Sequence, residues 1–199
     1  MLNTQQSNKI TPAQRVSEVK EYYFSKKLRE VAQLNAEGKD IVSLGIGGPD
    51  RPPHKDVIDT LCTEAAKPGN HSYQPYVGIP ELREAFAAWY KKHYDVDLDP
   101  KSEIQPLIGS KEGILHISLA FLNPGDGVLI PNPGYPTYTS VSRLAGAEVF
   151  NYNLTEENGW EPDFAELEKL PLERIKLMWV NYPHMPTGKC ASLSLFSRL

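Results

Sequence analysis

At 199 residues, 40% of them hydrophobic and 23% charged, the chain has the apolar content for one packed domain, or one and a fraction. Its 21 basic and 25 acidic residues leave a net charge of −4, which argues against a nucleic-acid partner or an acidic membrane surface. Two distant cysteines, Cys62 and Cys190, and five histidines without ligand spacing predict no metal site and fit a reducing cytoplasm.

Residues 1–12 read as a loose polar arm with no secretory h-region, and no later run is long enough to span a bilayer, so a cytoplasmic protein is expected. Residues 15–38 predict a polar helical stretch with Tyr22, Tyr23, Leu28, Val31 and Leu34 as its apolar stripe and Gly38 as its stop. Residues 41–44 predict a short strand running into the bend Gly45-Ile46-Gly47-Gly48-Pro49-Asp50. Residues 56–66 place Val57, Ile58, Leu61, Cys62 and Ala65 on one helical face, ended by Lys67-Pro68-Gly69. Pro80 then opens a helix whose expected buried face is Leu82, Ala85, Phe86, Trp89 and Tyr90.

From Ile104 the pattern becomes strand, turn, helix, strand. Residues 104–108 read as a strand, and 114–122, apolar on nearly every side, as a buried helix. Asn123-Pro124-Gly125-Asp126 is a turn before a strand at 128–130. A helix at 137–145, a strand at 148–152, a short helix at 162–170 and a strand at 175–180 follow. Strands alternating with helices predict an α/β fold, a mainly parallel sheet with helices on both faces. Ligands of such folds sit at the carboxyl ends of the strands, where the clusters 109–113, 131–138 and 181–188 can converge.

The turn Gly109-Ser110-Lys111-Glu112-Gly113 opens the apolar helix, and it reads either as a plain N-cap or as an anion cradle. The first N–H groups of a helix lack carbonyl partners and carry partial positive charge. Ser110 adds a hydroxyl there, and Lys111 a backbone N–H and a cation.

From about Ile41 onward the chain resembles the class I/II aminotransferases of fold type I, which depend on pyridoxal 5'-phosphate. The resemblance rests on five motifs in order: Gly47-Gly48-Pro49-Asp50; Tyr73 with Gly78 and Leu82-Arg83; Gly109-Ser110-Lys111-Glu112-Gly113; Pro131-Asn132-Pro133-Gly134-Tyr135-Pro136; and Pro186-Thr187-Gly188. It implies residues 1–50 as N-terminal arm and small-domain segment, and 51–199 as the first part of the cofactor-binding domain. It further implies that Ser110 and Lys111 hold the cofactor phosphate, that Tyr135 stacks on its pyridine ring, and that the Gly47 N–H meets a substrate carboxylate. Tyr73 matches the residue that reaches a neighbouring subunit's phosphate, so a homodimer acting on amino acids and 2-oxo acids is expected.

Two departures stand out. Met185 occupies the place of the family's Asn, which bonds the ring hydroxyl, and a thioether is no donor. Either His184 or another group takes that bond, or the ring is tuned differently; a packed Met beside an exposed His is the plain alternative. The second departure concerns the family's Schiff-base lysine, its pyridine-nitrogen carboxylate and its substrate arginine, which all come later than Leu199. No catalytic residue is therefore assigned within the chain, Lys189 reads as a surface charge, and the chain alone is expected to be a truncated, inactive half. A non-catalytic truncated paralogue that binds or dimerises with a relative is the alternative. A nicotinamide-binding oxidoreductase fits less well, because Asp50 stands where the third Gly of G-x-G-x-x-G belongs. A cofactor-sensing transcription regulator would need a DNA reader upstream, for which residues 1–38 are too short and insufficiently basic.

Overall fold

The structure, a computed structural model, describes residues 10–17, 21–45 and 47–199. Most of the expected arm (1–9), part of the first helical stretch (18–20) and Ile46 of the Gly-rich bend lie outside the described residues. The chain gathers into two compact units, Glu21–Pro106 and Leu107–Leu199, the latter joined by residues 10–17. The boundary expected at 50–51 falls inside the first of them.

The first unit carries three helices: α1 (Tyr23–Ala36), α2 (Lys55–Ala65) and α3 (Pro80–Tyr94). α1 begins later than expected, after a lone 3-10 turn at Gln14–Val16, and Gly38 at φ 83° ends it as anticipated. The strand expected at 41–44 is absent. Asn35 takes both backbone groups of Ile41, donating through Nδ2 to its carbonyl (3.1 Å) and accepting its N–H at Oδ1. A side chain thus does locally what a neighbouring strand would have done, and Val42 and Leu44 stay exposed.

α3 opens on Pro80 and closes on Asp95 in the left-handed conformation, with Lys91, Lys92 and His93 in its last turn complementing the helix dipole. Its expected buried face is corrected: Leu82, Ala85, Phe86, Trp89 and Tyr90 are not buried, and Arg83 is the buried residue. Trp89, Tyr90 and Tyr94 pack edge-on or tilted against one another along the helix surface (5.3–5.6 Å between centroids). The Arg83 Nε donates to the carbonyl of Ile104 (3.2 Å). That carbonyl lies in the segment 104–108, which forms no strand.

The second unit alternates as expected: α4 (Ser110–Phe121), β1 (Gly127–Asn132), α5 (Pro136–Leu144), β2 (Glu148–Asn153), α6 (Phe164–Leu167), β3 (Ile175–Met178) and α7 (Leu193–Arg198). The strands form one parallel sheet in the order β2-β1-β3. β1 is buried from Gly127 through Pro131, and its alternation sends Val128 and Ile130 to one face and Leu129 to the other. On the first face they meet Ile114, Leu122, Tyr138 and Ala147; on the second, Leu129 meets Tyr152, Leu154 and Leu167. The fold is α/β, with α4 and α5 over one face and α6 over the other.

α4 is not buried all round. Gly113, Ile114 and Ser118 are buried, while Ile117, Leu119 and Phe121 are exposed. Gly127 has a packing reason: a Cβ there would lie 2.7 Å from Ile175 Cδ1 and 3.0 Å from the Arg174 carbonyl, where the register of β1 against β3 shifts. Past β3, the Trp179 N–H continues the ladder to the Leu129 carbonyl (2.9 Å). No helix among the described residues is long and apolar enough to cross a membrane.

Candidate functional site

Because the three strands are parallel, the segments after them leave from one edge of the sheet, and the N-terminus of α4 comes to that edge too. The observation that joins them is Lys111 Nζ, 5.9 Å from the centroid of the Tyr135 ring.

α4 starts on Gly109, at φ 91° and ψ 162°, a conformation that side-chain-bearing residues rarely adopt. Glycine brings no capping side chain, so none closes the first turn. Glu112 holds the entry instead, its carboxylate accepting the N–H of Ile108, with Oε1 3.6 Å from His116 Nε2. Ser110 and Lys111 are exposed at this turn. Glu112 was readable as a glutamate three residues after the cap, though its bond goes to the N–H of the residue before the cap and not to that of Gly109.

β1 runs out into the turn Pro131–Pro136, which includes a cis Asn132-Pro133 bond. A Cβ on Gly134 would sit 2.3 Å from the Pro131 carbonyl oxygen, so only glycine fits. Tyr135 is the N-cap residue of α5 and is half-buried. Its ring meets Tyr138 edge-on (5.6 Å, 85°), and Tyr138 stacks on Trp179 (5.0 Å, 10°). Burial pushes the Tyr138 hydroxyl up from its ordinary value, with the neighbouring Tyr135 adding to it. Trp179 is braced in turn by Tyr152, whose hydroxyl donates to the Trp179 carbonyl (2.7 Å). An aromatic train from Tyr135 to Trp179 therefore ties the loops after β1 and β3.

The segment after β3 corrects two sequence expectations. His184 is buried, 2% exposed, and Met185 beside it is 44% exposed, the reverse of a packed Met with an exposed His. Lys189 is half-buried rather than fully solvated. Asn181 Oδ1 accepts the Met185 N–H (3.1 Å), and Tyr182 donates to the Trp160 carbonyl (3.0 Å). Burial holds the His184 imidazole below its ordinary pKa, partly offset by the Pro133 carbonyl. Asn181 escaped the sequence reading, because its bond reaches four residues on rather than the two of an Asx-turn.

Gly47 and Tyr73 lie in the first unit. Gly47 is exposed, with open space for 4 Å around the point where a Cβ would stand, and Tyr73 is fully exposed, just past the 3-10 turn Pro68–His71. A phosphorylated planar cofactor needs an anion seat and an aromatic face, and the residues at the α4 turn and Tyr135 fit both. Among the described residues no cluster of three or more His, Cys, Asp and Glu is arranged to hold a metal ion.

Residues 39–199 match the profile of the family aminotransferase class I and II. An LL-diaminopimelate aminotransferase of Dehalococcoides mccartyi is 43% identical over 94% of this chain and 48% of its own length. One of Moorella thermoacetica is 46% identical over the same shares, 94% and 48%. Apo-BacF of Bacillus subtilis superposes with a TM-score of 0.88 at 38% identity, over 95% of this chain and 48% of that one. The chain thus spans about half the length of the curated relatives it matches.

Proposed function

The chain belongs to the class I and II aminotransferases, and from that premise we propose that it forms the phosphate-holding and ring-covering side of an amino-group transfer site for LL-diaminopimelate and a 2-oxo acid. The observation that carries the reading is the pairing of the Gly109-Ser110-Lys111 turn, whose N-cap glycine supplies no capping side chain, with Tyr135, 5.9 Å from Lys111 Nζ, on one sheet edge. The substrate comes from the names of the two relatives, each above 40% identical over nearly the whole chain.

In this reading Ser110 Oγ and the first N–H groups of α4 bind the phosphate of pyridoxal 5'-phosphate, and Lys111 adds positive charge. Tyr135 covers one face of its ring and keeps water from it. When bound, that ring supplies the electron sink that amino-group transfer requires. Gly47 orients a substrate carboxylate through its N–H, and Tyr73 serves the phosphate of a second subunit in a cytoplasmic homodimer. Two exposed, unbonded cysteines are compatible with that compartment.

Binding tests the cofactor half of this reading. Pyridoxal 5'-phosphate should bind about tenfold or more tighter than pyridoxal, and Ser110→Ala should narrow the gap. Equal binding of the two would remove the phosphate seat. Residues 1–199 assayed alone should give no turnover above free cofactor; turnover would place a general base among these residues. Protein made from the native gene should consume LL-diaminopimelate with a 2-oxo acid, and turnover confined to other amino acids would remove the substrate.

A further inference from the structure

Glu112 is the acidic residue in the first turn of α4. A carboxylate there complements the helix dipole and competes with any second anion, and in the ordinary capping box it also takes the N–H of the N-cap residue. Here it leaves that N–H alone. One carboxylate oxygen accepts the N–H of Ile108, a residue further back, and the other lies 3.6 Å from His116 Nε2, one turn on. Among the described residues the N–H groups of Gly109 and Ser110 meet no acceptor. The packing agrees with this arrangement. Gly109, at φ 91°, lets the chain reverse, and Leu107 Cδ1 lies 2.5 Å from the point where a Cβ on the buried Gly113 would stand. Residues 107 and 108 are thus folded against the first turn of α4, Gly113 making room for one and Glu112 bonding the other.

We propose that Glu112 is a positioning residue: by bonding the Ile108 N–H it holds the incoming chain against the first turn of α4 and keeps the Gly109 and Ser110 N–H groups open to the cofactor phosphate. The consequence for the phosphate rests on the reading of Ser110 above; the hold on Ile108 does not.

Two substitutions separate the bond from the charge. Glu112→Gln keeps an acceptor oxygen and drops the charge, while Glu112→Ala drops both. Hydrogen exchange of cofactor-free protein from the native gene is followed at residue resolution at Ile108 and along β1. Exchange at Ile108 should rise about tenfold in Glu112→Ala and stay near the parent rate in Glu112→Gln, with β1 unchanged. No rise in Glu112→Ala overturns the proposal. So does a rise that spreads to β1, which would make Glu112 a general stability residue, or an equal rise in Glu112→Gln, which would leave its charge as its whole effect. Affinities for pyridoxal 5'-phosphate and for pyridoxal are then measured on the same proteins. Glu112→Ala should lose about tenfold for the phosphorylated form and nothing for pyridoxal, and Glu112→Gln should bind the phosphorylated form at least as tightly as the parent. Where the parent prefers the phosphorylated form, unchanged or tighter binding of it by Glu112→Ala overturns the proposal. If the parent binds the two forms equally, the phosphate seat is what fails, and the hold on Ile108 stands or falls by exchange.

Discussion

Gly134 tolerates no side chain, since a Cβ would meet the Pro131 carbonyl at 2.3 Å, and relief requires moving backbone rather than a flexible tip. Gly134→Ala should therefore cost about 2 kcal/mol or more, while Gly48→Ala, with open space around it, should stay within about 0.5 kcal/mol. Urea midpoints of the two variants decide it, and equal losses would contradict the close contact. Protonation acts at the same scale. Asp126 is held below its ordinary value of 3.8 by the N–H of Asn123 (2.6 Å) and then by Lys176 (3.0 Å). Its stabilisation is present above that ordinary value and is lost as pH falls through the lower folded one. His184, kept neutral by burial, adds stability above its ordinary value of 6.5 that is lost as pH falls through its depressed folded value. Tyr182 is the titratable side chain beside it, ring centroids 5.9 Å apart. Urea midpoints against pH should fall in two stages, with His184→Gln abolishing the upper and Asp126→Asn reducing the lower, to which Glu30, Glu64, Asp99 and Glu157, also held below their ordinary values, contribute. A single stage unaffected by His184→Gln would exclude the buried neutral imidazole.

β1 has neighbours on both edges and cores on both faces, so truncating it is felt on every side. Ile130→Ala should cost about 2–5 kcal/mol, and Phe121→Ala on the exposed side of α4 under about 1 kcal/mol. Similar losses by chemical denaturation would show that Phe121 is covered. The alternating elements of the second unit were legible because each carries its own signal: apolar runs at 128–130 and 175–178, a turn at 123–126, a proline at the head of α5. Residues 41–44 and 104–108 carry the same apolar signal and form no ladder, because a strand needs a partner that composition does not name. α3 shows the same gap. Its stripe was readable, but burial is decided by what lies over it. At the site, Gly109 and Tyr135 announced themselves through neighbouring glycines and prolines. The burial of His184 did not, since burial is decided by what lies over a residue and not by its neighbours in sequence.

Every buried hydrophobic residue among those described lies between Ile114 and Leu195. The Glu21–Pro106 unit instead exposes Leu28, Ile58, Leu61, Phe86 and Trp89 and has Arg83 as its buried side chain. Local stability follows buried apolar contact, so the molecule should be far from uniform. Amides of α1 and α2 should exchange orders of magnitude faster than those of β1 in residues 1–199, and an apolar dye should bind that chain. Equal protection of helices and strand would mean that the first unit is stabilised by something other than burial.

Gly127 pairs with Glu148 on one side and with Ile175 on the other, so the central strand is made before either neighbour. At roughly 5–20 residues per second of synthesis, the second neighbour leaves the ribosome on the order of 2–10 s after the first strand does. During that interval Val128, Leu129 and Ile130 wait with an open edge, at the time when a growing chain is most prone to associate with another. Slower translation between codons 132 and 175 would lengthen that exposure, and the yield of folded protein would then depend on the pace of the ribosome as well as on the residues themselves.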